Sequence, residues 1–263
     1  MTKPPASPDP FGALAPTYDR MGFLTLTAQH LARAAALQPG MRVLDVATGT
    51  GTVALAAAQT VGTGGTVVGL DLSAAMVEKA RARTGAGAVS FQTGDAMHLP
   101  FEDASFDAVL CASALFFMPD LAAALREWGR VLKPGGRVGF TAFAPGLMAP
   151  LPAMWAARLK TVDLVPPGPP VGRLPSPEKA RELLEEAGYT GIRADTEPVS
   201  YLLEHAEHRW DDIEAGLEGL QLRELSPEVQ ADLRAAHLAE LASLFASGPL
   251  TVSLPLIVAF GTR

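Results

Sequence analysis

The sequence predicts an α/β fold: a doubly wound, mostly parallel seven-stranded sheet with a helical lid. Three observations carry that reading. From Met41 to Phe143 short apolar runs alternate with helical patterns, the rhythm of successive strand–helix units. Tight-turn chemistry punctuates the rhythm at Gly49-Thr50-Gly51 and at Lys133-Pro134-Gly135-Gly136. At 263 residues the chain can bury one sizeable core and still carry a cover.

Taken in order, residues 1–10 read as a disordered tail, because a Pro-rich polar segment buries too little apolar surface to offset ordering entropy. Residues 11–40 form a helical cap, with Leu24, Leu31, Ala34, Ala35 and Leu37 on a helix ended by Pro39-Gly40. Residues 41–143 are the α/β core. Its strands are Arg42 to Ala47, Thr66 to Asp71, Ala88 to Thr93, Phe106 to Ala112 and Arg137 to Phe143, and its helices Thr52 to Thr60, Ala74 to Arg83 and Leu121 to Leu132. Residues 144–175, broken by prolines up to Pro166-Pro167-Gly168-Pro169-Pro170, read as an insertion. Over 176–199, Ser176-Pro177 opens a helix closed by Gly188, and Ile192 to Glu197 supplies a sixth strand. A helical lid over 200–250 precedes the final strand, Leu254 to Gly261, within 251–263.

Composition narrows the function. With 21 basic against 28 acidic side chains the formal charge is −7, which offers no general attraction to nucleic acid or anionic lipid. Cys111 is the single cysteine, so neither an internal disulfide nor a cysteine-held metal is expected. No apolar run is long enough to span a bilayer, and no export signal is read; a cytoplasmic location without membrane anchoring is the expectation.

Gly49 and Gly51 follow an apolar strand and open a helix, so backbone can approach a ligand closely there. With Asp71 at the end of the second strand, the same loop also satisfies a dinucleotide fingerprint, in which the acidic residue binds a ribose. Asp45 distinguishes the two ligands: a carboxylate before the loop repels a pyrophosphate but attracts an ammonium such as that of a methionyl group. Asp45 as a turn former and Asp71 as a helix cap are alternative readings. Leu72 and Met76 suit an adenine pocket or the core equally. Gly94-Asp95-Ala96 can accept from an adenine amine and donate to its ring, or make an ordinary turn.

These segments, with Leu99-Pro100-Phe101, Phe106-Asp107-Ala108-Val109 and Trp128-Gly129-Arg130-Val131-Leu132-Lys133-Pro134-Gly135-Gly136, follow the order of motifs in class I methyltransferases. The chain resembles the branch containing ubiquinone and menaquinone C-methyltransferases and many small-molecule enzymes. The resemblance covers residues 11–143 and implies a Rossmann-like fold that binds S-adenosylmethionine and releases S-adenosylhomocysteine. The cofactor set it implies is Tyr18, folding over the methionyl end, with Asp45, Ala47, Gly49, Gly51, Asp71, Leu72, Met76, Gly94, Asp95, Ala96 and Ala112. Ala47 departs from the first loop glycine of many relatives. Cys111-Ala112-Ser113-Ala114 stands where enzymes that methylate exocyclic or amide nitrogens carry an Asn/Asp-Pro-Pro-aromatic signature, which argues against a nucleobase or glutamine-nitrogen substrate; the resemblance implies a small-molecule acceptor.

Methyl transfer is an in-line displacement on an activated carbon, so positioning and water exclusion are the protein's main tasks. If a base is needed, His98, His205 and His208 are the candidates; packed or solvated histidines are the plainer reading. Leu202, Leu203, Trp210, Ile213, Leu217, Leu220 and Leu222 line an acceptor pocket or, in the plainer reading, belong to a helix packed on the sheet. No metal site is read. A nicotinamide-dependent oxidoreductase and a non-catalytic S-adenosylmethionine-binding protein are the alternative functions.

Overall fold

Val43, Leu44 and Val46 are fully buried, as a strand covered on both faces requires. They lie in β1 (Arg42–Val46), near the middle of a sheet seen in a computed structural model that describes residues 9–84, 89–165 and 170–263. Ahead of β1 come α1 (Pro10–Leu14), a 3-10 turn (Tyr18–Arg20) and α2 (Gly22–Ala34). After it follow α3 (Thr52–Val61), β2 (Thr66–Asp71), α4 (Ala74–Ala82), β3 (Val89–Thr93), β4 (Phe106–Cys111), α5 (Leu121–Val131) and β5 (Leu132–Phe143). The second half contains α6 (Leu151–Lys160), α7 (Pro177–Glu186), β6 (Thr190–Leu203), α8 (Ala206–Ala215), a 3-10 stretch (Leu217–Glu224), α9 (Pro227–Leu241) and β7 (Leu250–Thr262).

The strands assemble in the order β3-β2-β1-β4-β5-β7-β6. Pairings from β3 to β5 are parallel, and β7 is antiparallel to both β5 and β6. Chain order reverses between β1 and β4, so their carboxyl ends diverge into the crevice where ligands bind in open α/β sheets. The expected seven-stranded, mostly parallel sheet is what the chain forms. Its core buries α5 through Leu121, Leu125, Trp128 and Val131, side chains on one stripe of the helix.

Several elements differ from expectation. Residues 1–8 lie outside the described part, but Asp9 and Pro10 do not belong to a tail: Asp9 Oδ1 accepts from Gly12 N at 2.7 Å and caps α1. The leading helix ends at Ala34, ahead of the expected Leu37, since Ala36 turns to φ 51°. The expected start of β3 at Ala88 lies outside the described residues, as does 166–169 of the Pro-rich run.

Residues 144–175 are not uniformly irregular. Pro152 falls in the first turn of α6, where a missing N–H costs nothing, and Trp155 and Leu159 are fully buried. The stop at Lys133-Gly136 ends α5, yet the four residues lie within β5 as an irregularity: the register with β4 jumps from Phe106↔Leu132 to Ala108↔Arg137, and Gly135 takes φ 78°. β6 is far longer than Ile192 to Glu197. Val199, Tyr201 and Leu203 alternate against Leu254, Val252 and Leu250, so 200–203 is strand and the lid helices begin at Ala206. β7 likewise starts before Leu254.

Candidate functional site

A cleft opens at the carboxyl ends of β1 and β4. The end of β1 and the following loop contribute Asp45, Ala47, Thr48, Gly49 and Thr50; Ala112 and Ser113 come from the end of β4; Tyr18 and Asp19 come from the cap; α2 supplies Leu24, Thr25, Thr27 and Ala28. The loop is built by backbone conformation. Ala47 sits at φ 53°, Gly49 at 55° and Gly51 at 88°, all in the left-handed region that disfavours side chains. At Gly51 the restriction is doubled, because a Cβ would lie 2.7 Å from Phe91 Cζ.

Asp45 is buried beneath this loop. Its Oδ2 accepts from Thr48 Oγ1 at 2.5 Å and Ala54 N at 3.0 Å, so the side chain does serve the turn. Its Oδ1 is buried without a partner among the described residues. Burial pushes the carboxyl from 3.8 up to about 7, against the lowering effect of those two hydrogen bonds. A buried carboxylate oxygen with an unused lone pair fits an ammonium group.

Asp71 stands beside it at the end of β2. Its Oδ2 accepts from Gly49 N at 2.8 Å and its Oδ1 from Ser73 N at 2.9 Å, while Ser73 itself caps α4. Burial, the largest influence, raises its pKa. Each oxygen retains a lone pair for a hydroxyl. Tyr18 packs toward Gly49, 3.7 Å from where a Cβ would stand, and burial followed by the charges of Asp71 and Asp19 pushes its phenol up.

The third-strand segment continues from β3 beside the end of β2. Asp95 Oδ1 accepts from Met97 N at 2.8 Å, and Oδ2 faces His98 Nδ1 at 3.1 Å. Gly94 N donates to Asp71 O at 2.9 Å, which ties the segment to the end of β2. Helix α5 then clamps the segment: Trp128 Nε1 donates to Ala96 O, Arg130 to Leu99 O and Phe101 O, and Glu127 accepts from Leu99 N. The Leu99-Pro100-Phe101 and Trp128-Gly129-Arg130 motifs therefore meet as scaffold. Leu72 is 75% exposed, and Met76 is buried with Leu14 and Ala15 of the cap. Neither is among the residues that line the cleft, and nor are Gly51, Asp71, Gly94, Asp95 and Ala96.

The histidines are not brought together there. His98 is exposed, His205 caps α8 by accepting from His208 N, and His208 Nε2 lies 2.9 Å from the Tyr201 hydroxyl. The lid leucines are dispersed as well. Trp210, Ile213 and Leu222 pack with Trp155, Leu159 and Leu233 inside the lid, Leu203 joins Tyr201 and Leu254, Leu217 and Leu220 cover Leu14 and Met76, and Leu202 faces out. None of them lines the cofactor cleft, and they do not form one helix face packed on the sheet either.

Sequence reasoning missed the tie between cap and loop. Asp19 Oδ1 accepts from Thr50 Oγ1 at 2.6 Å; Arg83 Nη1 donates to Thr50 O at 2.8 Å and lies 3.3 Å from Asp19. Lys79 donates to Ala15 O and Pro16 O and pairs with Asp19 at 3.2 Å. Partners so far apart in the chain leave no local pattern; the one usable signal was the adjacency of Asp19 to Tyr18.

The sequence profile of the methyltransferase-domain family matches residues 44–140. A nocamycin O-methyltransferase from Saccharothrix syringae is 30% identical over 95% of this chain and 96% of its own length. A demethylmenaquinone methyltransferase from Staphylococcus aureus is 32% identical over 70% of this chain and 84% of its own. Among solved structures, phosphoethanolamine N-methyltransferase 2 of Haemonchus contortus in complex with S-adenosyl-L-methionine superposes with a TM-score of 0.59 at 18% identity, covering 98% of this chain and 61% of that one.

Proposed function

The chain belongs to the class I methyltransferases and transfers a methyl group from S-adenosylmethionine; from that premise we propose that its acceptor is a small molecule methylated on oxygen. The relatives favour methyl transfer over the nicotinamide-dependent and non-catalytic alternatives. The observation that carries the site assignment is Asp45 Oδ1, buried and unpartnered at the crevice between β1 and β4.

In this reading Asp45 takes the cofactor's ammonium, Asp71 its ribose hydroxyls, and Gly94, Asp95 and Ala96 its adenine. Gly49 and Gly51 let backbone come close, Ala47 and Ala112 leave the walls smooth, and Tyr18 closes the methionyl end. When bound, S-adenosylmethionine supplies a methyl group on a positively charged sulfur. The protein then has to orient the acceptor and exclude water, which the cap and α2 do by covering the cleft. Oxygen is favoured as the acceptor atom because the relative aligned through the lid as well as the core is named an O-methyltransferase.

Calorimetric titration with S-adenosylhomocysteine and NAD, followed by mass spectrometry of a panel of hydroxylated, amino and activated-carbon acceptors, tests both parts. Heat from S-adenosylhomocysteine alone and a methyl gain on hydroxyl compounds are expected. Binding of NAD without S-adenosylhomocysteine would overturn the site. Methylation confined to amines or carbon would overturn the acceptor class.

A further inference from the structure

Seven buried side-chain polar atoms have no hydrogen-bond partner among the described residues, and they are unevenly placed. One is Asp45 Oδ1 in the cofactor cleft. The other six lie in the lid: Arg209 Nε and Nη1, Trp210 Nε1, Asp212 Oδ2, Gln221 Oε1 and His237 Nε2. A buried donor or acceptor is costly unless something satisfies it, and a guanidinium most of all. The concentration of unmet capacity that marks the cofactor site thus recurs, stronger, within α8, the 3-10 stretch Leu217–Glu224 and α9.

We infer that these lid elements enclose a recognition site for an acidic oxygen group of the methyl acceptor, a carboxylate or enolate flanked by a hydroxyl or keto oxygen. This rests on the O-methyltransferase reading above. Arg209 supplies the cation. It is fully buried, and both carboxylate oxygens of Glu218 lie 2.8 Å from its Nη2, which fixes the guanidinium plane while leaving two nitrogens to donate. Asp212, one turn along α8, is held at Oδ1 by the Tyr201 hydroxyl at 3.2 Å and presents Oδ2. Burial pushes this carboxyl up to about 7 against the pull of the neighbouring Arg209 charge, so it can donate as an acid as well as accept.

His237 is buried too. Burial lowers its pKa, and its Nδ1 lies 3.4 Å from Glu240, an arrangement that puts the ring proton on Nδ1 and leaves Nε2 as an acceptor for a hydroxyl. Trp155 packs on this ring at 5.0 Å and on Trp210 at 5.7 Å, giving rigid aromatic walls.

The site also has the right position. α8 packs on the Tyr18–Arg20 turn that walls the cofactor cleft, Gly216 has no room for a side chain against Met21, and Arg223 donates to Ala13 O. The elements that carry these groups thus pack directly on the cap that walls the cofactor cleft. Arg209 is accordingly a positioning residue: it holds the acceptor's far end and takes no part in the displacement.

The test uses the full chain saturated with S-adenosylhomocysteine, labelled with nitrogen-15 at arginine. The Arg209 Nε–H signal, assigned through bonds, is followed during titration with 4-hydroxybenzoate, salicylate and, as the uncharged control, 4-hydroxybenzamide. The acids should shift this signal saturably and the amide should not. Arg209→Lys, which keeps the charge beside Glu218, should weaken acid binding about tenfold or more and raise KM for any acidic acceptor with kcat little changed. His237→Gln should weaken it less. An Arg209 signal unmoved by millimolar acid while S-adenosylhomocysteine still binds would overturn this inference alone, as would a crystal soaked with salicylate that shows only ordered water on Arg209. Failure to bind S-adenosylhomocysteine would instead overturn the cofactor-site assignment.

Discussion

Asparagine at position 45 separates what the carboxylate costs the unliganded fold from what it contributes to binding. In the folded chain Asp45 titrates near 7 instead of 3.8, chiefly because it is buried. Between those two values the folded state binds more protons than the unfolded one, so unfolding free energy falls as pH rises through the window and stays lowered above it. At about 1.36 kcal/mol per pKa unit, the three-unit shift is worth on the order of 4 kcal/mol above pH 7. Asp45→Asn keeps an acceptor for Thr48 Oγ1 and Ala54 N and removes the charge. Urea unfolding at pH 5 and pH 8 should therefore show the wild type losing stability and the variant losing distinctly less; Asp212 and Asp71, both raised by burial, contribute a further slope to both proteins. S-adenosylhomocysteine affinity should move oppositely. Loss of a charged hydrogen bond worth about 1.5–3 kcal/mol weakens it about 10- to 150-fold. Wild-type affinity should itself fall as pH drops below 7, since protons compete for the carboxylate. Parallel pH-stability curves for the two proteins, or equal affinities by calorimetry, would refute the reasoning.

Further outcomes follow from the same geometry. Gly51→Ala forces a left-handed alanine and a Cβ 2.7 Å from Phe91, so a loss of about 2–4 kcal/mol is expected in chemical denaturation. Asp71→Ala removes the acceptor of Gly49 N and Ser73 N together with the ribose contacts, and S-adenosylhomocysteine binding should weaken at least as much as for a neutral hydrogen bond, about fivefold or more by calorimetry. Asp19→Ala unties the cap from Thr50, Arg83 and Lys79; because the ion pairs are partly exposed, stability should change by about 1 kcal/mol or less, while amide exchange in residues 11–21 and the cofactor off-rate both rise. His98→Ala and His205→Ala should leave kcat within about twofold, as expected of histidines outside the cleft; a loss of about a hundredfold or more would restore either as a base.

The core was legible because its signals are local. β1, β2 and β4 read as apolar runs, α5 as an amphipathic stripe, and Ser176 with Pro177 as a helix start, each within a few residues. That Asp45, Asp71 and the glycine loop lie together was legible for a related reason: the ends of parallel strands converge by topology. What escaped depends on distant partners. β6 beyond Glu197 exists only because β7 lies alongside it, and α6 is helical despite its prolines because Trp155 and Leu159 have Trp210 and Leu233 to pack against. Arg209, Asp212 and His237 looked like ordinary polar positions on helices. Their burial is set by how α6, α8 and α9 close on one another, which no short pattern records.

The long ladder between β6 and β7 has an architectural consequence. Its last rung joins Leu203 to Leu250, so everything from 204 to 249 leaves the sheet and returns to it at a single pair of residues. To the sheet that segment is the loop of a hairpin, and loop length costs only about 0.6 kcal/mol per doubling. Exchanging it whole for the corresponding segment of a relative leaves every pairing of the sheet intact. On the proposed reading of the lid as the acceptor's site, selection can in this way trade one acceptor for another while the sheet beneath is inherited unchanged.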